Sequence, residues 1–349
     1  MATRREVVQG LAVSLALSAC RGAIAQPAED AVYVGVETSA ATGLSQASFF
    51  AGSGRRTGQV TLDFRAHGLA QHGHILVVFP RRPGNRFAVV DLSSLEVRAV
   101  VSAPTQRHFY GHGALTLDGR TLLVAENDLG TLQGHIGLYD IGAQPVRIGS
   151  LALPGAGPHE IIRAADRDSF YIALGGLETH PAYGRTPLNL DDFRSQILRL
   201  DLSSASVSPL GVWDTARGVS LRHLAADGHG NLVVGGQVVT GAPHTRDVLW
   251  VLTPNGTTQI ETHGQLQGYT SSVSAHGRTA IVTSKKSGQA LVVENGEVVR
   301  TVAANGASGA GLSRGLVAVS GYQKLILNDA AIPVTPQYEF DNHGLALTS

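Results

Sequence analysis

The chain is poor in sulfur, in charge and in anything that reads as a long helix. Its one cysteine is Cys20 and its one methionine is Met1, so the region after residue 26 has no disulfide, no thiolate metal ligand and no cysteine nucleophile. Only 15% of its 349 residues are charged, with 27 Lys+Arg against 27 Asp+Glu, and nothing in this balance points to nucleic acid or an anionic membrane surface. The uncharged run at 11–19 is too short to span a bilayer, which takes about 20 residues. No G-x-S-x-G, phosphate loop, H-E-x-x-H or dinucleotide fingerprint stands in the strand-to-helix setting its chemistry needs.

What the chain has instead is glycine. Forty-two of them, with Asp, Asn and Pro, punctuate short apolar runs, and no 3.6-residue pattern lasts beyond two turns. That combination predicts an all-β fold. Residues 1–26 read as an export signal: Arg4-Arg5 precede the apolar run, as in twin-arginine export of a folded protein. Two maturation routes fit, and they exclude each other. Leu17-Ser18-Ala19-Cys20 resembles a lipobox that would anchor the chain by lipid at Cys20, and Ala23-Ile24-Ala25 offers an ordinary cleavage site. Either one leads to the periplasm, with residues 27–349 as a single domain and no transmembrane helix.

The domain is repetitive. His67-Gly68, His112-Gly113, His159-Glu160, His223-Leu224 and His343-Gly344 each open a short apolar run, and the first four histidines are 45, 47 and 64 residues apart. The long third interval holds an insertion, Glu178 to Phe193, that reads either as a lid or as a surface loop. Ser271-Ser272-Val273-Ser274 and Ser308-Gly309-Ala310-Gly311 are copies without the histidine. Repeats of about 40 to 50 residues with four short strands are the signature of propeller blades. The segment from Val32 to Phe64 lacks a His-led strand and the C-terminus supplies one, so the prediction is a seven-bladed β-propeller whose terminal strands share one blade.

Antiparallel order then sorts the chemistry. If the innermost strand starts at one face, the second strand ends there. Five histidines, His67, His112, His159, His223 and His343, would surround the axis at that face as metal ligands. Neutral imidazole with carboxylate and no sulfur suits iron, zinc, copper or manganese. Around them Arg65, Arg81, Arg82, Arg107, His108, Tyr110, Glu126, Glu178, His180 and Arg222 form the predicted ligand-binding set. The arginines suit an oxyanion better than a bare cation, which points to a small ligand or a metal chelate. For any single histidine the competing reading is a strand-to-strand hydrogen bond inherited by repetition. Against this for the set, two repeats carry serine, and the other additions are specific to single blades. His72, His74, His135, His229, His244, His263 and His276 fall mostly at turns and are expected on the surface.

The strings Arg107-His108-Phe109-Tyr110-Gly111-His112-Gly113, Phe79-Pro80-Arg81-Arg82-Pro83-Gly84, Glu126-Asn127-Asp128, Gly157-Pro158-His159-Glu160, Glu178-Thr179-His180-Pro181 and Arg222-His223-Leu224-Ala225 resemble an exported proteobacterial family catalogued as a domain of unknown function. The resemblance implies a seven-bladed propeller, a periplasmic setting, and neighbouring genes for imelysin-type iron-uptake proteins, which would be its partners. It implies no activity. The expectation is a periplasmic propeller that binds a metal ion or chelate, with iron favoured, in metal uptake or homeostasis. The alternatives are a metal-dependent lactonase-like hydrolase with Glu126 or Glu160 as base, and a non-catalytic interaction scaffold.

Overall fold

A computed structural model describes residues 30–348 except 166–168, 212, 214–216 and 242. The predicted export signal, with Cys20, lies outside the described residues. Burial along each strand records its place in the fold. The second strands are apolar almost without a break: Leu76 to Pro80 and Leu122 to Asn127 are buried on both faces. The outermost strands alternate instead, as along Val146–Ala152, where every second residue is exposed. A sheet covered on both faces at its centre and open at one edge is a propeller blade.

The strands form seven four-stranded antiparallel sheets in a ring, a seven-bladed β-propeller. Blades 2 to 7 take their strands in chain order, with innermost strands Ala66–His72, Arg107–Leu115, Pro158–Arg163, Val219–Ala226, Ser272–His276 and Gly309–Ser313. In blade 1 the innermost strand is the C-terminal Tyr338–Ala346, which pairs with Ala31–Ser39. The single helical element among the described residues is the 3-10 turn Pro181–Tyr183, inside the insertion of blade 4.

Neighbouring blades are joined by apolar clusters between their faces. Val77, Phe79, Phe87 and Val89 of blade 2 pack against Phe109, Leu122, Val124 and Tyr139 of blade 3, and Phe87 lies 5.3 Å from Phe109 and 5.2 Å from Tyr139 between ring centroids. Each fully buried side chain of this size contributes about 1.5–3 kcal/mol through area removed from water. The ring of clusters fixes the blades relative to one another, and so fixes whatever their inner strands carry to the axis.

Two sequence expectations need correcting. The inner strands begin before their histidines, at Ala66, Arg107, Pro158 and Val219, so the imidazoles sit within strands and not at their starts. His72 and His135 also lie in strands and are half-buried, whereas His74, His229, His244, His263 and His276 are exposed as expected.

Candidate metal centre

Every inner strand that carries an axial histidine is irregular at that histidine. Ala66 pairs with Pro80 but Leu69 with Val78, so the strand holds one extra residue across His67-Gly68. The same happens between Pro158 and Ile161 around His159, and between Leu221 and His223. Across 110–112 and 341–343 the surplus is two residues. The inner strands of blades 6 and 7, which carry serine and glycine there, pair with no shift at all. A β-bulge re-aims side chains and bends its strand. Five bulges therefore turn five imidazoles inward, where a regular strand would send alternate residues into the blade interfaces.

Glycine makes room for this crowding. A Cβ on Gly68 would lie 2.3 Å from the Gly111 carbonyl oxygen, and one on Gly111, whose φ is +106°, would lie 2.6 Å from the His67 ring. Gly68 and Gly111 thus let the inner strands of blades 2 and 3 approach at the narrow centre of the ring.

The result is a cluster tighter than an open ring of ligands. His67 lies 4.5 Å from His343 and 4.9 Å from His112; His112 is 4.6 Å from His159, and His159 is 4.8 Å from His223, which is 5.0 Å from His343, all between ring centroids. Two overlapping groups bring one ligand atom per residue within 4.8 Å of one another: His112, His159, Glu160 and His223, and His67, His112 and His343.

Hydrogen bonds fix the tautomers. Glu160 stands between blades 3 and 5, and its Oε1 and Oε2 each accept from an imidazole Nδ1 at 3.0 Å, from His112 and His223 respectively. Burial by itself would raise Glu160, but His112 and His223 with their hydrogen bonds hold its carboxyl well below the usual range. An ionised carboxylate only accepts, so both Nδ1 atoms carry a proton, and in the neutral tautomer this sets, the lone pair is on Nε2. His67 is fixed the same way. Its Nδ1 is 3.0 Å from Asn342 Oδ1, which also accepts from Arg81, while Asn342 Nδ2 donates to Asp341; the amide oxygen is the acceptor and His67 Nδ1 is the donor. His112 Nε2 and His159 Nδ1 are sealed from solvent without any hydrogen-bond partner.

Protonation is suppressed at four of the five rings. Burial first, then the neighbouring imidazoles, pushes His67, His159 and His343 well below the ordinary histidine value, and burial also lowers His223 despite Glu160. These rings are neutral at pH 7 and have lone pairs to give. An arrangement of this kind can take up a transition metal ion on nitrogen with little rearrangement.

The predicted ligand-binding residues divide into two groups. Arg81 reaches the axial cluster through Asn342 and Arg222 bears on His159 and His223, while Arg82 and the buried His108 and Tyr110 lie together beside them. Arg65 and Arg81 both pair with Asp341, the second at 3.2 Å. Arg82 lies 4.7 Å over the Tyr110 ring, and the Tyr110 hydroxyl meets Thr179 Oγ1 at 2.8 Å. His108 points its Nδ1 at the Phe109 carbonyl oxygen, 3.2 Å away, and burial pushes it down to about 4. Glu178 and His180 belong to the insertion: the Glu178 N–H is held by Asn189, and His180 Nδ1 accepts from Ala182 to cap the 3-10 turn.

Glu126 and Arg107 are not brought to the centre. The Glu126 carboxylate is fully buried, directed across its blade toward Gly137, where a Cβ would lie 1.9 Å from Oε1. It accepts from Tyr139 at 2.7 Å and Arg147 at 3.1 Å, and Arg107 approaches it at 3.8 Å while facing Asp128 at 3.4 Å. This is an internal ion-pair network of blade 3, and the period-2 geometry of a strand explains it: Glu126 faces opposite to its neighbours along the second strand.

The insertion does more than cover a surface. Arg185, at its tip, donates to the Arg82 carbonyl at 3.3 Å, so the segment reaches from blade 4 across to blade 2. Arg185, Asn342 and the two-sided role of Glu160 were not in the predicted site. For Asn342 and Glu160 the available signal was adjacency to an axial histidine; nothing local marks Arg185.

No helix among the described residues is long and apolar enough to cross a membrane. No curated protein matches the chain. Among solved structures it is similar to a chain of Kuenenia stuttgartiensis hydrazine synthase, with TM-score 0.61 and 14% identity over 95% of this chain and 100% of that one. It is also similar to a chain of a nidogen/laminin complex, with TM-score 0.51 and 13% identity over 78% of this chain and 93% of that one. Likeness at such identities concerns the fold alone. The family model that matches residues 60–347 spans every blade but part of the first, and the chain accordingly belongs to the family described as "Protein of unknown function (DUF1513)".

Proposed function

We propose that this chain is a periplasmic metal-binding propeller that holds one transition-metal ion on the axial imidazoles and serves metal uptake or homeostasis. The observation that carries the reading is the convergence of five imidazoles, four of them buried: His67, His112 and His223 have Nδ1 fixed by a hydrogen bond, and His112 Nε2 and His159 Nδ1 are sealed and unpartnered. Buried polar atoms are normally paired, and imidazole nitrogens that converge to within 4.8 Å of one another are donors a transition-metal ion would satisfy. His67, His112, His159, His223 and His343 would be the ligands, and Glu160 would orient two of them from behind.

A nitrogen-rich set of this kind fits iron, copper or zinc. The resemblance read from the sequence favours iron, and other periplasmic iron-uptake proteins would then be the partners. The twin-arginine signal supports periplasmic residence of a protein that folds before export. For the hydrolase alternative the two carboxylates considered as bases are committed, Glu126 to Tyr139 and Arg147 and Glu160 to two imidazoles, so no specific observation favours it.

The test is elemental analysis and an absorption spectrum of protein purified from the periplasm, followed by titration of His67→Ala, His112→Ala and His159→Ala variants. Near-stoichiometric metal, lost or weakened by at least tenfold in each variant, is expected. Metal-free protein that also fails to take up iron, copper or zinc in vitro would sink the proposal.

A further inference from the structure

The mouth above the imidazoles carries more positive charge than its own carboxylates match. Arg81 is in electrostatic contact with Arg65 and Arg82, Arg185 with all three, Arg222 with Arg82 and Arg185, and Lys285 with Arg81 and Arg65. The carboxylates that bear on Arg81 and Lys285 are Asp341 and Glu339, and Glu160 in the cluster below is committed to His112 and His223. Asp341 is already engaged by Arg65 and Arg81. Among the described residues Arg82, Arg185 and Arg222 have no carboxylate. Arg82 lies on the face of Tyr110, Arg185 donates only to a carbonyl, and Arg222 has its Nε sealed from solvent without a partner.

These guanidiniums come from three places in the chain, the end of the second strand in blade 2, the inner strand of blade 5 and the insertion of blade 4. Repetition of a blade does not generate such a meeting. The insertion carries its arginine across to blade 2, against the repulsion of the cations already there. Burial first, then Arg82 and Arg185, lowers the Arg222 guanidinium to about 10, so it remains charged at neutral pH. Guanidinium is the side chain suited to planar, two-point recognition of carboxylate and phosphate. Tyr110 and Tyr269 are in electrostatic contact with Arg222 and place phenol oxygens beside it.

The collar also acts on the metal centre. Arg81 bears on His67 and His343, and Arg222 on His159 and His223, so the cationic field reaches the imidazoles on both sides. A bare dication would be repelled by this field, and an anion in the mouth relieves both repulsions.

We propose that Arg82, Arg185 and Arg222 form an oxyanion site over the axial imidazoles, which takes the carboxylate or phosphate groups of a small anion and sets them where they complete the coordination of the metal. The anion site stands on the arginines. Only its coupling to metal rests on the function proposed above.

Calorimetric titration with citrate and, separately, inorganic phosphate tests both parts, on metal-free and metal-loaded protein in a buffer free of oxyanions. Metal-free protein should bind at least one of the two, and Arg222→Gln and Arg82→Gln should each weaken it tenfold or more. Arg185→Gln, on an exposed loop where folding is not at stake, should weaken it by several-fold. Arg120→Gln, an exposed arginine paired with Asp140 on another part of blade 3, should change nothing. Metal should tighten the anion at least tenfold, and the anion should tighten the metal by the same factor. Citrate binding with no phosphate binding identifies a polycarboxylate, and the reverse identifies an inorganic anion; either supports the site. Binding by neither, or binding indifferent to all three arginine variants, overturns it, even if metal binds the imidazoles. Arginine-dependent anion binding in a protein that takes up no metal overturns the metal reading and leaves the anion site standing.

Discussion

Glu160→Gln is the sharpest perturbation available, because it replaces one carboxylate oxygen by NH2, with loss of the charge and almost no change in volume. In the native chain both carboxylate oxygens accept, from His112 and His223, at 3.0 Å each. A glutamine has one accepting oxygen and one donating NH2. Whichever ring faces the NH2 must present a lone pair from Nδ1, which moves its proton to Nε2 and removes that nitrogen from the ligand set. The centre then keeps four imidazole donors out of five. Loss of such an orienting partner lowers metal affinity by about 10–100-fold, equivalent to about 1.4–2.7 kcal/mol. The assay is competition against a chromophoric chelator at pH 7.5, with thermal melting monitored by circular dichroism to establish that the variant folds. A folded Glu160→Gln protein with native metal affinity would refute the tautomer argument, and with it the assignment of the Nε2 atoms of His112 and His223 as ligands.

Other outcomes follow from the same geometry. Because His67, His159 and His343 are pushed below the value of about 6.5 they have when unfolded, the unfolded chain binds more protons as pH drops; stability is complete above about pH 6.5 and declines below it, by about 1 kcal/mol per ring between pH 6.5 and 5.5, or about 3 for the three. Urea melts of metal-free protein across that range should show the decline, and a flat profile would contradict neutral buried rings. Glu126→Ala should cost about 3–5 kcal/mol of stability by stranding Arg147 and Tyr139 in the blade, yet leave metal affinity within about twofold. A large loss of metal with stability intact would return Glu126 to the site. Phe87→Ala, in the interface of blades 2 and 3, should cost about 3–5 kcal/mol in denaturant unfolding.

Much of the scaffold was legible because repetition is written in one dimension. The spacing of the His-led runs, the glycine-rich punctuation and the serine-bearing degenerate copies give seven units, and the alternation of burial in outer strands matches their period of two. The five axial histidines were legible for the same reason: each stands at the same place in its repeat. Glu126 misled because sequence places it beside the mouth without saying which face of the strand it occupies. A shift of one residue in a strand changes the face, and only the register, in which Glu126 pairs with Phe109 on one side and His135 on the other, resolves it.

By itself, then, the sequence determined the all-β class, the blade count and the identity of the five imidazoles, since these depend on composition and on recurrence along the chain. Tertiary structure alone decided the rest. The bulges that turn the rings inward are a property of pairing between strands. The sharing of Glu160 between His112 and His223 joins blades 3, 4 and 5 through residues 48 and 63 positions apart. The meeting of Arg82, Arg185 and Arg222 depends on a loop crossing a gap that no local pattern records. Chemistry built from side chains distant in sequence is set by how the blades close around the axis, and closure is a fact of packing in three dimensions.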